Sequence, residues 1–253
     1  MKSLLFTICG RAGSKGLKSK NCLDLSDLPL VLYSISVIDL FKKQSDDSVT
    51  IALNTDSDEL RDIVESKYDI TIVPRKIDIA DDNSSKYEVI KDSHNHLVDQ
   101  NKRFDYIIDL DITSPLRTLK DLVNIVNTIA DSDYDCVCSV VESRRNPYFN
   151  MVERVGDSVK LVKPANYTAR QQTPKVYDLN ASMYAFKPQY LQEHHSIFEG
   201  NLGMVEMQDY CVLDIDSSED YEWMQLIHKA LLKKDSEIQD VYNNIHNLEK
   251  KGD

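Results

Sequence analysis

Short apolar runs alternate with longer amphipathic ones through the first 141 residues of the chain. Ser3–Cys9, Val49–Asn54, Ile70–Val73, Tyr106–Leu110 and Cys136–Val141 read as strands. Between them, Val31–Lys42, Asp58–Lys67, Ser85–Leu97 and Leu119–Ala130 read as helices. In the last of these, Leu122, Ile125, Val126 and Ile129 recur at i, i+3, i+4 and i+7, which gives the helix one apolar stripe. Such alternation predicts an α/β fold with a mostly parallel sheet covered by helices on both faces. Ligands of sheets of this kind bind beyond the carboxyl ends of the strands, so those ends are where chemistry is to be sought.

Past Val141 the rhythm breaks. Residues 142–180 are polar, carry Pro147, Pro164 and Pro174, and hold only short apolar runs such as Val159–Val162. This segment reads as an arm or small lobe, at about 142–178, inserted in a single domain that spans 1–253. A strand-like pattern resumes at Met183–Phe186 and at Tyr210–Val212. Helical periodicity returns at about Ser218–Leu232 and from Ser236 towards Lys250.

Composition narrows the possibilities. At 253 residues, with 42% hydrophobic and 28% charged residues, the chain can bury one sizeable core. A net charge of -12 argues against a nucleic-acid partner, whose backbone needs an excess of Lys and Arg, but not against a small anion met by a few convergent cations. Apolar Leu4–Cys9 is too short for a signal peptide and is followed at once by Gly10-Arg11, so a buried strand is the better reading. No stretch reaches the ~20 apolar residues of a membrane span. The expected compartment is therefore the cytoplasm. Cys9, Cys22, Cys136, Cys138 and Cys211 are odd in number and lie mostly in apolar runs, which suits reduced core thiols. Neither the cysteines nor the pairs His94/His96 and His194/His195 have the spacing of a zinc site.

Candidate chemistry gathers where the strands end. Three of the chain's seven glycines fall in Gly10-Arg11-Ala12-Gly13-Ser14-Lys15-Gly16, directly after the first strand. Glycine lets backbone amides approach an anion, and Arg11, Lys15, Lys18 and Lys20 add cations, so the loop can cradle phosphates. It matches neither G-x-x-x-x-G-K-[ST] nor G-x-G-x-x-G, and a glycine-rich surface turn is the alternative. Asn54–Asp58 ends the second strand, where Asp56 or Ser57 can equally cap the next helix. Asp109-Leu110-Asp111-Ile112-Thr113-Ser114-Pro115-Leu116-Arg117 ends the fourth, a plausible substrate-facing turn in which Thr118 and Asp121 form a capping box. In Asp214-Ile215-Asp216, alternation sends both carboxylates to one side. Such a pair suits Mg²⁺, which takes one or two carboxylates together with phosphate oxygens, although capping beside Ser217 is the plainer reading.

Five segments resemble, in order, those of the acylneuraminate cytidylyltransferases, the CMP-sialic acid synthetases. They are Gly10–Asn21, Asn54–Asp58, Pro74–Ser85, Thr113–Arg117, and Arg170–Tyr184 leading to Asp214-x-Asp216. The resemblance implies a Rossmann-like nucleotidyltransferase that transfers CMP from CTP to an acidic nine-carbon sugar and releases pyrophosphate. Arg11, Lys15 and Lys20 match the family's catalytic cations. Gly10, Ala12, Gly13, Ser14, Gly16, Asn21, Arg75, Ser84 and Ser85 match its nucleotide site. Asp111, Thr113, Ser114, Arg117, Arg170, Gln171, Asp178 and Asn180 fall on the sugar side, and Asp214 and Asp216 on the holders of Mg²⁺. A homodimer joined through the arm is implied as well. The sugar side departs most: the usual glutamine is Asp111, the proline after it is Ile112, an arginine is Asp178, and Asn-Gly-Ala reads Asn180-Ala181-Ser182. These departures point to an acceptor other than N-acetylneuraminate, such as legionaminic or pseudaminic acid. The rivals are a nucleotidyltransferase for 3-deoxy-octulosonate or a sugar phosphate, and a non-catalytic nucleotide-binding homologue.

Overall fold

The structure is a computed structural model that describes residues 1–13, 16–80 and 85–248. Its elements run β1 (Ser3–Gly10), β2 (Asp24–Leu25), β3 (Leu28–Pro29), α1 (Leu30–Gln44), β4 (Ser48–Thr55), α2 (Asp58–Glu65) and β5 (Thr71–Pro74). There follow α3 (Lys86–Val98), β6 (Tyr106–Leu110), α4 (Leu119–Ala130), β7 (Cys136–Glu142), β8 (Val152–Val155) and β9 (Ser158–Leu161). The chain ends with β10 (Tyr177–Phe186), α5 (Pro188–Glu193), β11 (Leu202–Glu206), α6 (Ser218–Leu231) and α7 (Ser236–Ile245).

Seven strands form one sheet in the order β11-β7-β10-β6-β1-β4-β5. All run parallel except β10, which lies antiparallel between β6 and β7. The mostly parallel sheet is what strand–helix alternation predicts. Connections leave β1 towards β4 and β5 and then return across it to β6, so the strand order reverses at β1 and opens a crevice at its carboxyl end.

The strands are buried on both faces, and period-2 alternation assigns each residue a side. Leu4, Phe6 and Ile8 join Ile108, Leu110 and Met183 against α1, α4 and α7. Leu5, Ala52, Ile107 and Phe186 face the other way, against Tyr87 and Ile90 of α3 and Leu191 of α5. Towards the carboxyl ends this second face turns polar. Leu5 gives way to Thr7 and Cys9, and Ile107 to Asp109 and Asp111, with Thr7 paired directly with Asp109 across the strands.

One expectation needs correction, and one strand lies where none was expected. Tyr210–Val212 is not a strand but part of a 3-10 turn, Asp209–Val212, with Cys211 tucked in and its thiol donating to the Leu116 carbonyl at 2.8 Å. The edge strand is instead β11, whose Gly203 lies so close under Tyr134 that a Cβ would come within 2.3 Å of the ring. A glycine in the middle of a short run reads as a break, and only the packing explains it.

Residues 143–176 leave the sheet between β7 and β10. Their hairpin β8–β9 pairs only with itself, and Val152, Val155 and Val159 are exposed on it.

Candidate active site

A cleft of about 280 Å³ opens at the carboxyl ends of β1 and β6. Its walls bring together Arg11, Lys20, Asn21, Arg75, Asp111, Thr113 and Asp214 from five separate stretches of sequence, with Cys9, Ile79, Lys86 and Val89 among them. A larger hollow of about 540 Å³ between α1, α4 and α7 carries none of the strand-end residues, so the smaller cleft is the site.

The glycine-rich loop is fastened on both sides. The Ala12 amide donates to Asp56 Oδ1 at 2.8 Å, while Ser57 caps α2, which divides the two roles that the Asn54–Asp58 segment left open. On the opposite side Lys20 Nζ donates to the Ile215 carbonyl at 3.0 Å and to Asp216 Oδ1 at 2.7 Å. Gly16 makes that approach sterically feasible, since a Cβ there would lie 2.1 Å from the Asp216 carbonyl oxygen. A Cβ on Gly10 would meet the side-chain ends of Leu60 and Ile112 at 2.4 and 2.9 Å. Asn21 Nδ2 closes the loop on the Arg11 carbonyl at 3.1 Å. Gly13 has open space around it. Ser14, Lys15 and Ser84 lie outside the described residues.

Arg75 reaches back to the end of β4, donating through Nε to Asn54 Oδ1 at 2.9 Å and through a terminal nitrogen to the Asn54 carbonyl at 3.2 Å. Ser85 accepts from the Glu88 amide at 3.2 Å and so caps α3.

The first residue of α3, Lys86, drew no attention in the sequence. Its Nζ lies 2.8 Å from Asp109 Oδ2 and 2.6 Å from Asp111 Oδ2, and 5.7 Å from the centre of the Tyr184 ring. Asp109 is fully buried and takes the Thr7 hydroxyl on its other oxygen at 2.8 Å. Asp111 Oδ1 accepts from the Thr113 amide at 2.9 Å and its hydroxyl at 2.8 Å. Burial alone would raise the Asp111 carboxyl, but Lys86 and Thr113 outweigh it and hold it well below the usual carboxylate range. Burial likewise disfavours the Lys86 ammonium, and the two carboxyl groups more than restore it. Burial and Asp109 push the Cys9 thiol up, so it stands as a neutral wall of the cleft.

Asp214 and Asp216 flank Ile215, which is fully buried and whose amide donates to the Thr113 carbonyl at 3.1 Å. The segment is not a strand, and of the two carboxylates that flank Ile215 Asp214 is half-buried in the cleft wall while Asp216 is exposed. Burial raises the Asp214 carboxyl, and the nearby Asp111 and Asp216 raise it further. That crowding of negative charge, offered by hard oxygen donors, fits a magnesium ion. Among the described residues no group of three or more His, Cys, Asp or Glu could hold a metal ion.

Several residues assigned to the sugar side lie elsewhere. Arg117 is 1% exposed and does not line the cleft. Its guanidinium donates to Ser182 Oγ at 3.1 Å, Ser34 Oγ at 3.2 Å, and the carbonyls of Asp111 and Ser114, so it braces the turn from behind. Burial brings it down to about 10. Ser114 is buried in the same brace, within 3.3 Å of Asp214 Oδ1. Asn180 is buried too, accepting from Ser139 Oγ at 2.6 Å, and next to it Ala181 takes a φ of 54° where the resembling family has glycine. Arg170 and Gln171 line a separate hollow with Ser143 and Asn146, where Arg170 donates to the Ser143 carbonyl at 3.1 Å. Asp178 borders a third, beside Arg144 and Asp209. Within one chain, none of these three meets the cleft.

A family model described as cytidylyltransferase matches residues 5–247. The chain is 36% identical over 231 residues to a CMP-N,N'-diacetyllegionaminic acid synthase of Campylobacter jejuni, covering 90% of this chain and 95% of that protein. It is 35% identical over 230 residues to post-translational flagellin modification protein B of Campylobacter coli, covering 90% and 96%. Among solved structures it resembles a CMP:2-keto-3-deoxy-manno-octonic acid synthetase complexed with CTP, with a TM-score of 0.63 at 14% identity, over 90% of this chain and 99% of that one. That likeness is one of fold.

Proposed function

This chain belongs to the cytidylyltransferase family, and on that premise we propose that it transfers CMP from CTP to the anomeric hydroxyl of a nonulosonic acid, releasing pyrophosphate. The observation that carries the reading is the convergence of Arg11, Lys20, Asn21, Arg75 and Asp214 on one strand-end cleft. The relative named for CMP-N,N'-diacetyllegionaminic acid favours an acceptor of the legionaminic type.

The sugar hydroxyl attacks the α-phosphate in line, the bond from the α-phosphorus to the bridging oxygen breaks, pyrophosphate leaves, and the hydroxyl proton passes to solvent. Such a step depends on positioning and on neutralising phosphate charge. Arg11, Lys20 and the loop amides supply the cationic end of the cleft, while Asn21 and Arg75 hold the nucleoside. Three donors keep Asp111 ionised, so it orients partners and is a poor proton acceptor. Asp214 and Asp216 would hold Mg²⁺, which when bound supplies further neutralisation of the phosphate oxygens.

We assign the active form as a homodimer, a reading supported by the exposed valines of β8–β9 and by the distance of Arg170 and Gln171 from their own cleft. We assign it to the cytoplasm, in keeping with five unpaired cysteines. Among the described residues no helix is long and apolar enough to cross a membrane.

The test is pyrophosphate release with Mg²⁺, each of the four nucleoside triphosphates, and a panel of nine-carbon and eight-carbon keto acids. CTP with a nonulosonic acid is expected to dominate. Preference for another nucleotide, or for the eight-carbon acid, would sink the proposal.

A further inference from the structure

Lys86 is the cation of the cleft least suited to a triphosphate. Two carboxyl groups, Asp109 and Asp111, already lie 2.8 and 2.6 Å from its ammonium. The local field there is not positive, so phosphate is drawn to the loop cations instead. The same two contacts fix the Lys86 side chain. Its ammonium head, pinned to the end of β6, stands over the Tyr184 ring.

An ammonium carries three donors. Among the described residues only Asp111 Oδ2 takes one of them as a hydrogen bond, while Asp109 Oδ2 pairs with the charge at 2.8 Å without hydrogen-bond geometry, and 30% of the side chain remains exposed in the cleft. A donor fixed in position, with its charge offset from behind, suits a neutral oxygen better than an anion. The sugar's own carboxylate would meet Asp111 beside Lys86 and is repelled from it.

We propose that Lys86, held by Asp109 and Asp111, is a specificity-determining residue that donates a remaining N–H to a neutral oxygen, an acyl carbonyl or a hydroxyl, of the acceptor sugar. The inference rests on the cytidylyltransferase reading above. It differs from a phosphate-clamp role in what it affects, namely the acceptor and not CTP.

The test removes the charges together, because Lys86 alone cannot be deleted without stranding Asp109. In the double variant Lys86→Met/Asp109→Leu, the KM for N,N'-diacetyllegionaminic acid is expected to rise about tenfold or more, the worth of one charge-assisted hydrogen bond. CTP affinity, measured calorimetrically without acceptor, is expected to stay within about threefold. If circular dichroism shows that this variant does not fold, the near-isosteric Lys86→Gln/Asp109→Asn takes its place. An unchanged acceptor KM would leave the cluster a purely structural one and overturn the inference, as would an equal loss of CTP affinity. If the wild-type protein makes no pyrophosphate with any nonulosonic acid, the functional reading falls and this inference with it. Wild-type turnover with an indifferent variant overturns the inference alone.

Discussion

Arg117 invites a substitution that separates substrate contact from internal bracing. Replacing it with lysine keeps the positive charge but removes the planar fork. An ammonium in its place can still reach the carbonyls of Asp111 or Ser114, but not the hydroxyls of Ser34 and Ser182, which Arg117 meets at 3.2 and 3.1 Å. Those hydroxyls retain partners of their own, since Ser34 donates to the Asp111 carbonyl and Ser182 to the Ser114 carbonyl, each at 3.2 Å. The loss is therefore two hydrogen bonds from a charged donor at the low end of their range, about 1.5 kcal/mol each, or about 3 kcal/mol together. Urea unfolding of Arg117→Lys should show that drop with an unchanged m-value. Acceptor KM, measured well below the transition, should stay within about threefold. A variant within about 1 kcal/mol of wild-type stability whose acceptor KM rises steeply would show that Arg117 touches the sugar.

Gly16→Ala would drive a methyl into the Asp216 carbonyl, and the retreat of the loop should weaken CTP binding about tenfold by calorimetry; an unchanged Kd would refute the tight approach. Ala181→Gly relieves a left-handed residue and should raise the unfolding free energy by about 0.5–1 kcal/mol, the αL cost less the entropy of glycine, whereas any clear destabilisation in urea would count against it. His228, buried beside Tyr33 with Ser26 Oγ at 2.8 Å from its Nδ1, is pulled down by burial to about 4. It is neutral in the folded state and charged when unfolded between about 4 and its ordinary value near 6.5, so its contribution is present above that range and lost as pH falls through it. Unfolding followed at several pH values should show His228→Gln losing less stability over that window than wild type, by at most about 3 kcal/mol. Parallel curves would contradict the shift.

The elements that emerged from the sequence are those whose signals are local. Tyr106–Leu110 and Leu119–Ala130 match β6 and α4 end for end, because an apolar run and a capping box each act within a few residues. That Arg11 and Lys20 meet at the strand-end cleft was legible for a related reason, since glycines and cations sit in one stretch after β1. Lys86 was not, because a lysine after a serine cap looks like any solvated helix start until α3 is laid against the polar end of β6. Arg117 misled in the opposite direction. Nothing in its neighbours distinguishes an arginine at a cleft from one folded beneath it, and only the serines of α1 and β10, distant in sequence, settle which it is.

The antiparallel insertion of β10 limits how modular this protein can be. The strand that ends the 143–176 excursion at Tyr177 reaches, three residues on, Asn180–Ser182, the backing of the Ser114 turn. An excursion borrowed from a relative can therefore be spliced in ahead of Tyr177 without disturbing the cleft. One carried through Ser182 replaces the backing of the Ser114 turn as well, so beyond Tyr177 the excursion and the cleft cannot be exchanged independently.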